Sequence, residues 1–462
     1  MTPRRAFGCF VLATALFVCP FAARVHGISA DFWLMHDQIG DWSLVQGSFR
    51  DLPVVGPERT GGGHHLGPAY YWWLWLTRVS IGAWTNGLPH AAGISVSFLD
   101  SLSFLCLGAA AWIAGAPFAL VLATGLLLAT CPYEAALARA GWNPCLALAL
   151  VNFALALFVR WQDRWTTPRI FAVAGLAWLA LQAHMACLGV VLALATLILA
   201  RGAAAGRRAL LTYALGLAAP AVLLQLPRVL APSASSEPQA TAVTETFRHL
   251  LSEPGSVLSA QGLRFVVAEG GSLLLGSTVV PPAACGAVIA ASLVAAVLAL
   301  VRGGPCRSIA AVSLVSIAAS AAACTVIAIE PKSYWLVPVL GALALAVLAG
   351  ACAVSDVLPA RPRAAFHVAA LAVALAALPA RHRAFLVDHR YPLYRAVVAG
   401  SRTIVRRGLR VRDVIGPADD RFPTSSAALV GWLGGQLEPD SPWVARIDAR
   451  GDVELERAAT RR

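Results

Sequence analysis

Charge is what this sequence has least of. Of 462 residues only 13% are charged against 58% hydrophobic, and Asp and Glu together number 24, too few polar groups to clothe a water-soluble particle of this length. A mean hydropathy of +0.69 excludes an ordinary soluble globular domain. Period-two alternation is also missing. The apolar runs are long, continuous and rich in Leu, Ala and Val, so they read as spanning helices rather than barrel strands, each helix satisfying its own backbone where water is absent. No Cys-x-x-Cys pair occurs among the ten cysteines, which leaves residues such as Cys9, Cys106, Cys187 and Cys324 as small hydrophobes rather than metal ligands. Cys131 and Cys145 flank one expected external loop, where a disulfide is the alternative to two free thiols. Nor is there an internal repeat.

What is present is arginine, and its placement matters more than its amount. The net charge of +12 does not point to nucleic acid, because the arginines fall mainly between apolar runs. There the excess of positive charge on the cytoplasmic side explains them. "MTPRR" before the apolar run from Phe7 to Val25 places the N-terminus in the cytoplasm, as an uncleaved first helix rather than a signal peptide. Further spans are expected near 91–112, 116–131, 145–160, 169–183, 185–200, 209–227, 272–301, 308–328, 334–353 and 364–380. If they alternate, "RWQDRWTTPR", "RGAAAGRR", "RGGPCR" and "ARPR" all face the cytoplasm. That agreement is independent of the apolar runs that define the spans. The same alternation puts outside the opening loop 28–90, the segment 131–144, the turn around His184, the loop 228–271, the segment 329–335 and a polar tail, 381–462. Residues 67–90, with Tyr70, Tyr71, Trp72, Trp73, Trp75 and Trp84, read as an amphipathic aromatic floor lying at the interface.

The polar residues collect on that outer side. Asp37 and Asp41, four apart, share one face of a short helix. Asp41, Asp51 and Glu58 read as solvated loop acids, whereas Asp37 in "WLMHDQIGDW" sits at the mouth of the first span, where an idle carboxylate costs free energy. His64 and His65 beside Gly61–Gly63 suggest a hydrogen-bond donor to an anionic substrate, with glycines that let backbone approach it. Adjacent histidines rarely point the same way, and no third ligand has recognisable spacing. A metal site is therefore not assigned, and a divalent cation stays a minor alternative.

Taken in order, "HDQIGDW", "LVQGSFRDLPVVGPERTGGGHHLGPAYYWWL", "ARAGWNPCLALALVNFALALF", "LQAHM" and "KSYWLVPVLGALALAVLAG" resemble the bacterial branch of the membrane-embedded GT-C glycosyltransferases. That superfamily includes the protein O-mannosyltransferases and the aminoarabinose transferases of lipid A. The resemblance covers roughly residues 5–355. It implies an all-α polytopic membrane protein of about 11 transmembrane helices, with a GT-C-like domain over 1–380, interfacial helices in the first external loop and a small polar appendage over 381–462. It also implies transfer of a sugar from a polyprenyl-phosphate donor to a glycan, lipid or protein acceptor on the outer face of a bacterial inner membrane, with inversion.

Asp37 then matches the first-loop acid that takes the acceptor proton. The usual second acid is replaced by Gln38, which leaves Asp37 as the base and weakens any metal reading. Asn143 stands where relatives often carry an acid and can orient substrate but not act as a base. Arg139 is the expected phosphate partner, set against an ordinary interfacial arginine snorkelling from a helix end. His184 is a substrate contact or a satisfied core histidine, and Lys332 with Tyr334 matches the place where the family holds the lipid phosphate. Asp41 and Tyr70 complete the expected substrate-binding set with His64 and His65. Two other classes compete: a transporter or flippase of lipid-linked saccharides, which would show paired repeats and broken mid-membrane helices, and a non-catalytic scaffold, which has no use for Asp37 at a dry mouth.

Overall fold

The computed structural model describes residues 3–34, 36–57, 67–162, 164–230, 260–277, 280–327, 332–387, 391–417 and 424–457. The first apolar run forms α1 (Arg5–Val25), with a π-helical turn at Thr14–Val18. Two shorter helices follow in the opening loop, α2 (His36–Leu44) and α3 (Ala69–Ile81). The bundle continues with α4 (His90–Ile113), α5 (Phe118–Ala129), α6 (Pro132–Arg139), α7 (Asn143–Trp161), α8 (Thr167–Ala183), α9 (Leu188–Ala204) and α10 (Arg207–Leu230). Then come α11 (Ala260–Leu275), α12 (Pro282–Arg302), α13 (Arg307–Ile327), α14 (Leu340–Val357) and α15 (Ala360–Val387). Proline opens α6, α7, α8 and α12, where its fixed φ suits the first turn and its missing N–H would have had no partner.

Among the described residues nine helices are long and apolar enough to cross a membrane, ten if the bent pair α5–α6 counts as one span. The protein is a multi-pass membrane protein. α8, at 17 residues, is not among them, whereas α9 qualifies because the turn from Met185 extends it to 20 residues. Two expected spans are drawn differently from their sequence boundaries. The run read as 272–301 is two helices, because Gly276 adopts φ +84° and Pro281–Pro282 cannot continue α11. The run read as 116–131 stops at Ala129 and turns by 54° into α6.

Burial sorts the spans. Ser333–Val357, which includes α14, is mostly buried, whereas α15 and Arg207–Pro227 of α10 are mostly uncovered, so α14 is central and the other two lie at the periphery of the described residues. Small residues permit that centrality: Gly350 lies so near the backbone of Ser292 on α12 that a Cβ there would come within 2.6 Å.

The tail adds what helical periodicity does not announce, a small sheet. α16 (Tyr394–Arg406) and α17 (Thr424–Trp432) accompany β1 (Asp413–Ile415), β2 (Trp443–Ile447) and β3 (Val453–Arg457). The order is β1-β2-β3, with β1 parallel and β3 antiparallel to β2. Its apolar side joins Val397, Ile404, Val414 and Ile447 in one cluster with Ile28, Phe32, Leu34 and Leu88 of the opening loop. The tail is therefore seated on the segment that carries Asp37.

Candidate active site

α2 is amphipathic in a useful way. Trp42 is buried and its Nε1 donates to the Gly87 carbonyl at 3.0 Å, which fixes the rotation of the helix. Asp37, in the first turn, is then exposed, at the end of a helix where its dipole favours a carboxylate. Asp41, one turn later, points inward, is 8% exposed and accepts a hydrogen bond from the Tyr71 hydroxyl at 2.9 Å. Burial pushes its carboxyl up to about 7, the nearby Asp37 charge adds to the rise, and the Tyr71 bond opposes it. The scarcity of water expected around Asp37 thus belongs to Asp41, because the face the two share is turned into the protein only beyond the first turn, where Trp42 anchors the helix. Gln38, buried beside them, lines a small cavity with Phe32, Trp42, Tyr70 and Gly141.

From α3 a string of contacts crosses the end of the bundle. The Tyr70 hydroxyl donates to the Gly141 carbonyl at 2.8 Å. Gly141 sits at φ +73°, where a Cβ would meet the Ala92 methyl at 2.8 Å, so glycine alone lets the α6–α7 turn press this close to α4. Next in the chain, the Trp142 ring lies 4.9 Å from that of Tyr334. Asn143 donates from Nδ2 to the Ala183 carbonyl at 2.9 Å, tying the start of α7 to the end of α8. His184 is buried, with its ring edge-on to Tyr334 at 6.0 Å and Trp335 at 6.4 Å. Its Nδ1 accepts the Ala186 N–H at 3.3 Å, which assigns the ring proton to Nε2 when the ring is neutral. The Ser333 hydroxyl donates to Glu269 Oε1 of α11 at 2.6 Å. Exposed Lys332 precedes it and is the only lysine in the chain.

The structure therefore brings Gln38, Asp41, Tyr70, Asn143, His184 and Tyr334 onto one seam, with Asp37 and Lys332 in its exposed parts. His64 and His65 lie outside the described residues. Arg139 does not join this surface. It is 1% exposed, donates to the carbonyls of Arg24 and His26 at 2.6 and 2.9 Å, and pairs with Asp31. The expected phosphate partner is instead the clamp that holds the exit of α1 against α6.

Beneath the seam lies a charged network that sequence reasoning missed. The break between α5 and α6 leaves carbonyls without helical partners. Arg381 on α15 takes those of Leu127 and Thr130 at 2.6 and 3.0 Å, and Arg24 on α1 takes that of Ala129 at 3.0 Å. Arg24 is balanced by Glu134 at 2.5 Å and Asp100 at 3.9 Å. Ligating atoms of Asp100, Glu134 and Cys145 lie within 4.8 Å of one another, a spacing that could suit a metal, but the Arg24 guanidinium already supplies the cation there. All ten cysteines are free; Cys131 and Cys145 donate to the Leu273 and Glu134 carbonyls rather than to each other. The missed signal was present in the sequence: Arg24 and Asp100 interrupt apolar runs, and an ionisable group inside a span asks for a partner.

Comparison with known structures bears on the fold. The crystal structure of ArnT from Cupriavidus metallidurans in the apo state matches with a TM-score of 0.54 at 13% identity, over 94% of this chain and 86% of that one. The chain has the ArnT fold. ArnT bound to undecaprenyl phosphate matches with a TM-score of 0.50 at 14% identity, over 90% and 83% of the two chains. This is a polytopic, all-helical membrane fold of the kind expected from the sequence. No family model and no curated protein matches the chain.

Proposed function

We propose that this protein is an inverting glycosyltransferase that moves a sugar from a polyprenyl-phosphate donor to an acceptor on the extracytoplasmic face. The observation that carries the reading is the shared fold with ArnT, which has been crystallised with undecaprenyl phosphate. The seam gives the reading its chemistry. The acceptor hydroxyl attacks the anomeric carbon as Asp37 takes its proton, the bond from that carbon to the phosphate oxygen breaks, and polyprenyl phosphate leaves with the electron pair. Lys332 meets the charge growing on the phosphate. Asp41, held neutral below about pH 7, keeps the two carboxylates from carrying charge together, so that Asp37 alone serves as base.

His184, Tyr334 and Trp142 present aromatic edges and one N–H to the sugar. An apolar cavity of about 440 Å³ between α8, α9 and α10, lined by Trp178, Leu181, Leu188 and Ile198, runs down from the His184 turn. It suits a prenyl chain whose phosphate sits at the seam. Transfer from radiolabelled polyprenyl-phosphate sugars, assayed in membranes holding wild type or Asp37→Asn at equal abundance, tests the reading. Activity lost in the variant supports it. Activity that survives removes Asp37 from the role of base, and none from any donor in the wild type removes the reaction.

A further inference from the structure

Away from the seam, a second cavity of about 620 Å³ opens between the opening loop and α16. This volume falls in the range of small-ligand sites, roughly 300–1,000 Å³. Its walls are chemically one-sided. Arg395 and Arg402, seven residues apart and so on one face of α16, both line it, and none of its lining residues is acidic. Neither arginine pairs with an acid among the described residues, and α16 itself, "YRAVVAGSRTIVR", contains no carboxylate. An arginine pair left without counter-charge beside a concave, partly enclosed surface is an electrostatic cost that an anion would remove.

The opposite wall supplies neutral donors and a rigid floor. Exposed Ser29 and Asn86 line it, and Asn86 is the only non-glycine residue with positive φ, at +54°, among the described residues. His90 Nδ1 and the Tyr394 hydroxyl lie 3.2 Å apart, with Phe32 packed on both rings. Trp84, 84% exposed, stands at the rim, as an aromatic at a water–lipid boundary does.

We propose that this cavity is a phosphate-binding site, in which Arg395 and Arg402 grip a phosphate group and Ser29 and Asn86 donate to its remaining oxygens. Planar guanidinium forks match phosphate oxygens two at a time, which is why arginine rather than lysine suits the task. The ligand is a phosphorylated small molecule or a lipid phosphate headgroup. The site stands independently of the transferase reading, since it uses none of the residues assigned to that reaction.

The test uses the full chain in maltoside micelles, which carry no phosphate. Inorganic pyrophosphate is titrated in one arm and radiolabelled short-chain phosphatidic acid in the other, with Trp fluorescence and bound label as readouts. Saturable binding in either arm that weakens at least about tenfold in Arg395→Gln/Arg402→Gln supports the proposal, and the arm that saturates names the source. Arg407→Gln, an exposed arginine off the cavity, should bind as wild type. Ala399→Trp, a bulky side chain at an exposed lining position, should block binding without touching either arginine and decides the matter should the double variant fail to fold. No saturable binding in either arm, or binding unchanged by these variants, overturns the site.

Discussion

Replacing Asp41 by Asn should change how stability depends on pH more than it changes stability itself. In the folded chain burial lifts the Asp41 carboxyl from 3.8 to about 7, whereas in the unfolded chain it titrates near its ordinary value. Between about pH 4 and pH 7 the native state therefore holds a proton that the unfolded state has released, and stability falls as pH rises by up to about 1.4 kcal/mol per unit. Over some three units this reaches about 4 kcal/mol as an upper bound, and above pH 7 the slope from this group vanishes. The asparagine side chain cannot titrate but still offers an amide oxygen to the Tyr71 hydroxyl, so the hydrogen bond at 2.9 Å in the wild type need not be lost. Unfolding midpoints of both proteins in mixed micelles, from pH 4.5 to 8, give the difference in which all other titrating groups cancel. The variant should gain on the wild type steadily up to about pH 7 and then hold a constant lead. Parallel profiles across the whole range would show that Asp41 is not held neutral, and the asymmetry proposed for the Asp37–Asp41 pair would fall with them.

Arg24→Ala strands Glu134 and Asp100 in the interior and frees the Ala129 carbonyl, and should cost about 3–5 kcal/mol, read as a lower unfolding midpoint. Replacing Arg24, Asp100 and Glu134 together by Met, Asn and Leu should recover much of that loss; no recovery would mean the charges are not the issue. Gly141→Val forces a branched side chain to φ +73° against Ala92 and should cost about 1–3 kcal/mol, while Tyr70→Phe, which loses only the bond to the Gly141 carbonyl, should cost about 1 kcal/mol; equal losses would refute the steric account. Lys332→Gln should raise the KM for a polyprenyl-phosphate donor about tenfold or more while leaving the thermal midpoint unchanged, and an unaltered KM would take Lys332 away from the phosphate.

Much of the architecture was legible because lipid enforces it. Any chain this apolar must bury its backbone in helices, so the spans, their number to within one or two and the arginine-bearing turns follow from composition and period alone. Breaks were less visible. Gly276 and the Pro281–Pro282 pair are ordinary turn signals, yet the apolar residues around them hid the split between α11 and α12. The interrupted α5–α6 span depends on Arg24 and Arg381, which reach its free carbonyls from helices 105 and 251 residues away in sequence, a separation no local window contains.

Sequence by itself determined that the protein spans a membrane many times, that its chemistry-bearing residues gather in a few polar segments between spans, and that Asp37 and Asp41 lie on one helical face. Tertiary structure alone decided which of them is dry. Trp42 locks the face shared by both acids against the protein, so that Asp41, a full turn into α2, is covered while Asp37 in the first turn stays exposed; Arg139 turns inward because Asp31 and two carbonyls are there to receive it; and Arg395 and Arg402 face a cavity because the tail's sheet rests on the opening loop. Helical period fixes which residues share a face, but which face is buried depends on what packs against it, and that partner is set by distant parts of the chain.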